Sequence, residues 1–188
     1  MKIVLASKSP RRKEILSLVC DEFEIRVSDA DESYGEDTPL KEVPRLLSER
    51  KAKAVPMAQD EIVIGCDTVV LIDNQLLGKP KSRDKAKEML RKMSGRCHEV
   101  ISGLTLRSED KIYSEAIVSK VYMRELTDRE IEKYVDVWRP LDKAGAYGIQ
   151  EMAGSFVSRI EGDFYNIVGL PLCRLVELLA SEFGVDLV

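Results

Sequence analysis

Apolar residues fall in short runs separated by polar, Gly- and Pro-marked breaks, and the spacing within each run predicts its element. Lys2–Ala6 is a short apolar run broken by Ser7-Lys8-Ser9-Pro10. Pro10 suits a first helical position with Ser9 as cap, and Ile15, Leu16 and Val19 give that helix an apolar face. Phe23, Ile25 and Val27 alternate as a strand, and Asp29–Thr38 reads as an acidic loop containing Gly35. A helix to about Val55 follows, with Pro44 in its first turn and Leu46, Leu47 and Ala54 inward. Glu61–Cys66 and Thr68–Ile72 form an apolar strand around Asp67, and Asp73-Asn74 begins a turn. Ser82 caps a helix through Met93 that buries Ala86, Met89 and Leu90. His98–Leu106 and Ile112–Met123 read as long paired strands joined at Ser108–Lys111. Thr127 and Glu130 form a capping box for a helix carrying Ile131, Tyr134 and Val135. A glycine-rich loop runs to Gly154, then a strand over Ser155–Ile160 and a last helix marked by Leu172, Leu175, Val176 and Leu179.

Strands and helices alternate, but the central hairpin breaks the rhythm, which predicts an α/β fold with a mixed sheet and flanking helices. The 188 residues, without internal repeat or low-complexity linker, fit one domain. A net charge of −4 argues against a general nucleic-acid binder, which needs a basic face. A small polyanion needs only a local cluster of cations. No apolar run is long enough to span a membrane. Cys20, Cys66, Cys97 and Cys173 lack metal-ligand spacing, and with no signal peptide ahead of the first strand they read as free thiols in the cytoplasm.

Four segments could carry chemistry. In Ser7-Lys8-Ser9-Pro10-Arg11-Arg12, a strand turning into a helix N-terminus offers free N–H groups, hydroxyls and guanidinium groups to a phosphate. Basic residues there oppose the helix dipole, although an ordinary capped helix is the plainer alternative. Asp67 interrupts an apolar run, which is costly unless the carboxylate is paired or sits at an opening. Lys79 lies in a Gly78-Lys79-Pro80 turn that fixes its direction. In the run from Asp142 to Gln150, small residues allow close approach of a ligand, and Gln150 offers one donor and one acceptor. His98, the only histidine, reads as a structural hydrogen-bonding group.

Together these segments resemble the Maf-like family of nucleoside triphosphate pyrophosphatases. The matching residues are Ser7-x-Ser9-Pro10-Arg11-Arg12, Lys51-Ala52, Asp67-Thr68-Val69, Gly78-Lys79-Pro80, Ser94-Gly95-x-x-His98, Asp142–Gln150 and Val168-Gly169-Leu170-Pro171-Leu172. The resemblance implies one bilobed domain over 1–188, an α/β fold like that of inosine triphosphate pyrophosphatase, with a central cleft between two lobes and usually a homodimer. It implies that Asp67 is the proton acceptor and that Ser7, Arg12, Lys51 and Lys79 contact the triphosphate. Glu32, with Asp67, would hold a divalent metal, Mg²⁺ or Mn²⁺. Arg11, Thr68 and Gln150 match the specificity pattern of the branch acting on dTTP and UTP. The implied reaction yields the monophosphate and pyrophosphate. The alternative is a nucleotide-sensing regulator of cell division that binds without hydrolysis.

Overall fold

The computed structural model describes residues 1–27 and 29–187. The chain opens with strand β1 (Lys2–Leu5), helix α1 (Pro10–Leu16), strand β2 (Phe23–Ile25) and helix α2 (Val43–Ala54). Strands β3 (Glu61–Ile72) and β4 (Gln75–Leu77) precede helix α3 (Arg83–Met93), and the hairpin β5 (Cys97–Arg107) and β6 (Ile112–Met123) follows. Helix α4 (Asp128–Trp138), strand β7 (Val157–Glu161) and helices α5 (Phe164–Val168) and α6 (Leu172–Phe183) complete it. The sheet runs β2-β1-β3-β5-β6-β7, with β4 paired to β3. β1 lies parallel to β2 and β3, and the other pairings are antiparallel. The sheet is therefore mixed, as the interrupted alternation predicts.

The two largest apolar cores among the described residues meet along β3. One gathers Ile62, Ile64 and Cys66 with Leu5, Leu16, Leu104 and the buried face of α6. The other gathers Val70 and Ile72 with Leu90, Met93, Tyr134 and Phe156. Asp67 and Thr68, between Cys66 and Val70, are only partly covered while their neighbours on both sides are buried. The strand thus passes from one core to the other through an opening, the cleft the resemblance implied.

Helix α2 is seated on this strand by the absence of side chains. A Cβ on Gly65 would lie 2.3 Å from the Ser48 carbonyl oxygen, and one on Gly103 only 1.9 Å from the Pro44 carbonyl oxygen. Gly103 lies opposite Asp67 across the β3–β5 pairing. The two glycines let backbone meet backbone, and the Ser48 hydroxyl, fully buried, meets the Thr105 hydroxyl at 2.8 Å. This corrects the expected inward face of α2 in part. Leu47 is buried as expected, but Ala54 is exposed and Leu46 only partly covered, while Ser48 and Ala52 are buried. A face pressed against glycines selects small residues, including a serine that apolar periodicity does not count as inward.

Smaller differences have similar local causes. Val27 lies beyond β2 and is exposed, because pairing with β1 ends at Leu5–Ile25. Residues 152–156 form a 3₁₀ turn, so β7 begins at Val157 rather than Ser155. In α6 Leu178, and not Val176, completes the buried face. Ser9 stands at the N-cap of α1 with Pro10 at its start, yet its side chain makes no capping bond. The expected capping box of α4 and the Ser82 cap of α3 are both formed.

Candidate functional site

The opening in β3 has a topological cause. On one edge β1 pairs with residues 61–64 and β4 pairs with residues 70–72. Among the described residues no strand covers that edge between them. Side chains alternate across a strand, so Asp67 and Thr68 point to opposite faces, and the gap lets both reach one cavity. Its volume is about 740 Å³, and its lining includes Ser7, Arg11, Arg12, Glu32, Lys51, Asp67, Thr68, Lys79 and Gln150. All the candidate residues from the sequence therefore meet at one place.

Asp67 is held from α2. The Lys51 ammonium donates to Asp67 Oδ1 at 2.6 Å and lies 2.8 Å from Glu32 Oε1. Lys53, two residues on, pairs instead with Glu49 at the surface. Burial alone would lower the pKa of Lys51, but the charge of Asp67 and its hydrogen bonds to both carboxylates raise it above 10.5. The hydrogen bond from Lys51 and then its charge hold Glu32 below the usual carboxylate range, aided by Lys79 and Lys8. Lys79 is exposed on the turn between β4 and α3 and makes no ion pair among the described residues. Its ammonium and that of Lys8 are thus available to an incoming anion. Among the described residues no donor reaches Asp67 Oδ2.

Arg12 is differently placed. Its Nε donates to the Gly169 carbonyl at 2.8 Å, Nη1 to Ser7 Oγ at 3.1 Å and Nη2 to Thr68 Oγ1 at 3.3 Å. The guanidinium is locked across the floor of the cavity as a fixed charge. Helix α1 has only seven residues, so its dipole adds little, and the anion-attracting field comes mainly from side chains.

At the other end, Arg11 Nη1 lies 3.1 Å from Asp142 Oδ2. Lys143, nearly buried, bridges Asp142 at 2.9 Å and Glu151 at 3.2 Å. Burial pushes the Asp142 carboxyl upward, but hydrogen bonds from Lys143 and Arg11 outweigh it and keep the group below 3.8. Gln150 lines this end with its side chain exposed. Lys8, Lys143 and Tyr34 also line the cavity. Lys8 and Lys143 lie inside two of the candidate runs without being singled out there, and Tyr34 carried no sequence signal. His98 is buried, as read: its Nε2 lies 2.8 Å from the Tyr147 hydroxyl. Burial lowers its pKa to about 4.

Asp67 and Glu32 converge on the same cationic centre, and this donor pair fits a divalent cation. Mg²⁺ commonly takes one or two carboxylates and completes its shell with phosphate oxygens and water. Among the described residues no group of three or more Asp, Glu, His or Cys could form a closed cage, so the fit is to an open site finished by the ligand.

An α/β domain whose cavity sets Asp67 and Glu32 among the cations of Lys8, Arg12, Lys51 and Lys79 around a strand gap presents a field that attracts a polyanion. The chain matches the family described as "Maf-like protein" over residues 2–182 and belongs to that family. A protein of Alkaliphilus metalliredigens (strain QYMF) named dTTP/UTP pyrophosphatase is 44% identical over 190 residues, covering 99% of this chain and 98% of that protein. One of the same name from Thermoanaerobacter sp. (strain X514) is 46% identical over 191 residues, covering both chains fully. Among solved structures the Staphylococcus aureus Ham1 protein aligns with 68% of this chain and 73% of its own at 17% identity. Its TM-score of 0.44 is too low to bear on the fold or the activity.

Proposed function

We propose that this chain is a nucleoside triphosphate pyrophosphatase that hydrolyses dTTP and UTP to the monophosphate and pyrophosphate. The reading rests on relatives of that name over the whole chain. The observation that carries it is the meeting of Asp67, Glu32 and Lys51 within 2.8 Å contacts in a cavity also lined by Arg12 and Lys79. Two acids beside a site for a polyanion are costly for simple binding and make sense with metal and chemistry.

In this reading Lys51 holds Asp67 through Oδ1, so Oδ2 faces a water molecule and takes its proton as general base. The water oxygen bonds to the α-phosphorus as the bond to the leaving pyrophosphate breaks. Lys79 and Lys8 meet the charge on the outer phosphates, with Arg12 and the Ser7 hydroxyl beneath them. Positioned donors of this kind are worth about 10²–10³ in rate. Glu32 and Asp67 would hold Mg²⁺ or Mn²⁺, which when bound supplies charge neutralisation on the phosphates. Gln150 pairs with the N3–H and a carbonyl of the pyrimidine, with Arg11 and Thr68 shaping the rest of the pocket. A cytoplasmic homodimer without nucleic-acid affinity, each chain one bilobed domain, completes the proposal; among the described residues no helix is long and apolar enough to cross a membrane.

A panel of dTTP, UTP, CTP and GTP, with pyrophosphate and orthophosphate detected separately, tests it. Pyrophosphate from dTTP and UTP is expected. Orthophosphate as first product, or a preference for GTP, overturns it.

A further inference from the structure

Two hydroxyls flank Arg12, and hydrogen-bond bookkeeping gives them opposite polarity. A hydroxyl has one proton and two acceptor sites. Ser7 Oγ accepts from Arg12 Nη1 at 3.1 Å and from the Ser9 backbone N–H at 3.2 Å. Both acceptor sites are filled, and among the described residues nothing takes its proton. Ser7 therefore meets a cavity ligand as a donor, which suits a phosphate oxygen.

Thr68 is the reverse. Its Oγ1 accepts from Arg12 Nη2 at 3.3 Å and lies 2.8 Å from Ser102 Oγ and 3.4 Å from the Gly169 carbonyl. Ser102 is fully buried and donates to the Asn166 carbonyl at 3.1 Å. With its proton spent, Ser102 can only accept from Thr68. The Gly169 carbonyl already receives Arg12 Nε at 2.8 Å and the Cys66 thiol at 3.1 Å, so its two lone pairs are taken. Turning the Ser102 proton to Thr68 instead would strip the Asn166 carbonyl of this buried donor, so the Ser102–Asn166 bond selects the arrangement in which Thr68 spends its proton inward. In that arrangement Thr68 has no proton for the cavity.

We propose that Arg12 and Ser102 sort these hydroxyls, so that Ser7 donates to phosphate while Thr68 accepts an N–H or O–H from the nucleoside, with Ser102 as the positioning residue. The proposal rests on the pyrimidine triphosphate reading and deepens it. Uracil and thymine carry a donor at N3 where cytosine carries a lone pair; where the base is the donor, Thr68 takes that proton in place of Gln150, which keeps the base carbonyl, and an acceptor-only Thr68 favours the first two. A sugar 3′-hydroxyl is the other donor within the same substrate.

The test compares wild type with Thr68→Val, which keeps the shape and loses the hydroxyl. UTP is measured against 3-methyl-UTP, and dTTP against its 3′-deoxy analogue, both as kcat/KM and as Kd by calorimetry. Loss of a satisfied donor–acceptor pair should cost about ten- to hundredfold in wild type. In Thr68→Val the ratio should shrink by that factor for one analogue pair: the N3 pair if the base donates, the 3′ pair if the sugar does. Ser102→Ala should shrink the ratio for that same analogue pair in the otherwise wild-type protein (and, where the base donates, weaken discrimination against CTP) and have no such effect in Thr68→Val, whereas a merely structural role would lower all substrates alike. Both ratios equal in wild type and Thr68→Val would overturn the proposal. Should the protein bind these nucleotides without releasing pyrophosphate, the hydrolase reading fails and the Kd ratios still decide the polarity of Thr68.

Discussion

Replacing Gly103 by alanine places a methyl group 1.9 Å from the Pro44 carbonyl oxygen and 2.5 Å from the Arg45 nitrogen. Both are backbone atoms, so no side chain can swing aside. Ordinary contact begins near 3.4 Å, and restoring it moves the start of α2 away from the sheet by roughly 1.5 Å, more than a packed core absorbs without cost. Overpacking of this kind costs about 1–3 kcal/mol, or roughly 2–4 °C in Tm for each kcal/mol in a chain of this size. Lys51 lies about two turns further along the same helix, so its 2.6 Å contact with Asp67 stretches as the helix withdraws. A misplacement of about 1 Å costs on the order of a hundredfold in turnover. Thermal melting followed by kcat and KM for UTP separates the two effects, since the mutation touches nothing that contacts substrate. A folded variant with Tm and kcat both unchanged would refute the claim that the glycine contact sets the Lys51–Asp67 geometry.

Other consequences are as direct. Gln150→Ala should reduce the preference for UTP over GTP by about ten- to hundredfold in kcat/KM, because the paired edge of the base is lost; an unchanged ratio removes Gln150 from base recognition. A chelator should abolish turnover and Mg²⁺ or Mn²⁺ restore it, and Glu32→Gln should raise the metal concentration needed for half-maximal rate, with an unshifted metal titration counting against Glu32 as a ligand. His98, neutral when buried with a pKa of about 4, binds its proton more readily unfolded, near 6.5. The unfolded state therefore gains protons first, and folding stability should fall as pH drops from about 6.5 to 4, by ~3 kcal/mol at most from this group. Urea melts of wild type and His98→Gln across that range check it: the slope attributable to His98 should vanish in the variant.

Much of this architecture was legible in the sequence because it is written in local chemistry. Ser82, Thr127 and Glu130 announce helix starts by the bonds they make, and the alternation of β5 and β6 announces a hairpin. The site was legible through charge in unexpected places: Asp67 inside an apolar strand, and arginines at the start of α1. What escaped has a non-local cause. The inward face of α2 is decided by Gly65 and Gly103 on strands far along the chain, and neither large-residue periodicity nor Pro44 reports that. The opening beside Asp67 arises because β1 ends and β4 begins short of it, and the three residues of β4 carry too little pattern to be seen alone. Lys8 was passed over beside stronger neighbours, and Ser102 acquires meaning only when folding brings Thr68 and the Asn166 carbonyl to it.

The central claim is that a carboxylate steadied by a lysine at a break in the sheet edge removes a proton from water. Asp67→Asn preserves shape and hydrogen bonding while abolishing the base, so single-turnover release of pyrophosphate from UTP should fall at least about a hundredfold, while calorimetry finds the nucleotide still bound. Near-wild-type release from that folded variant would contradict the account.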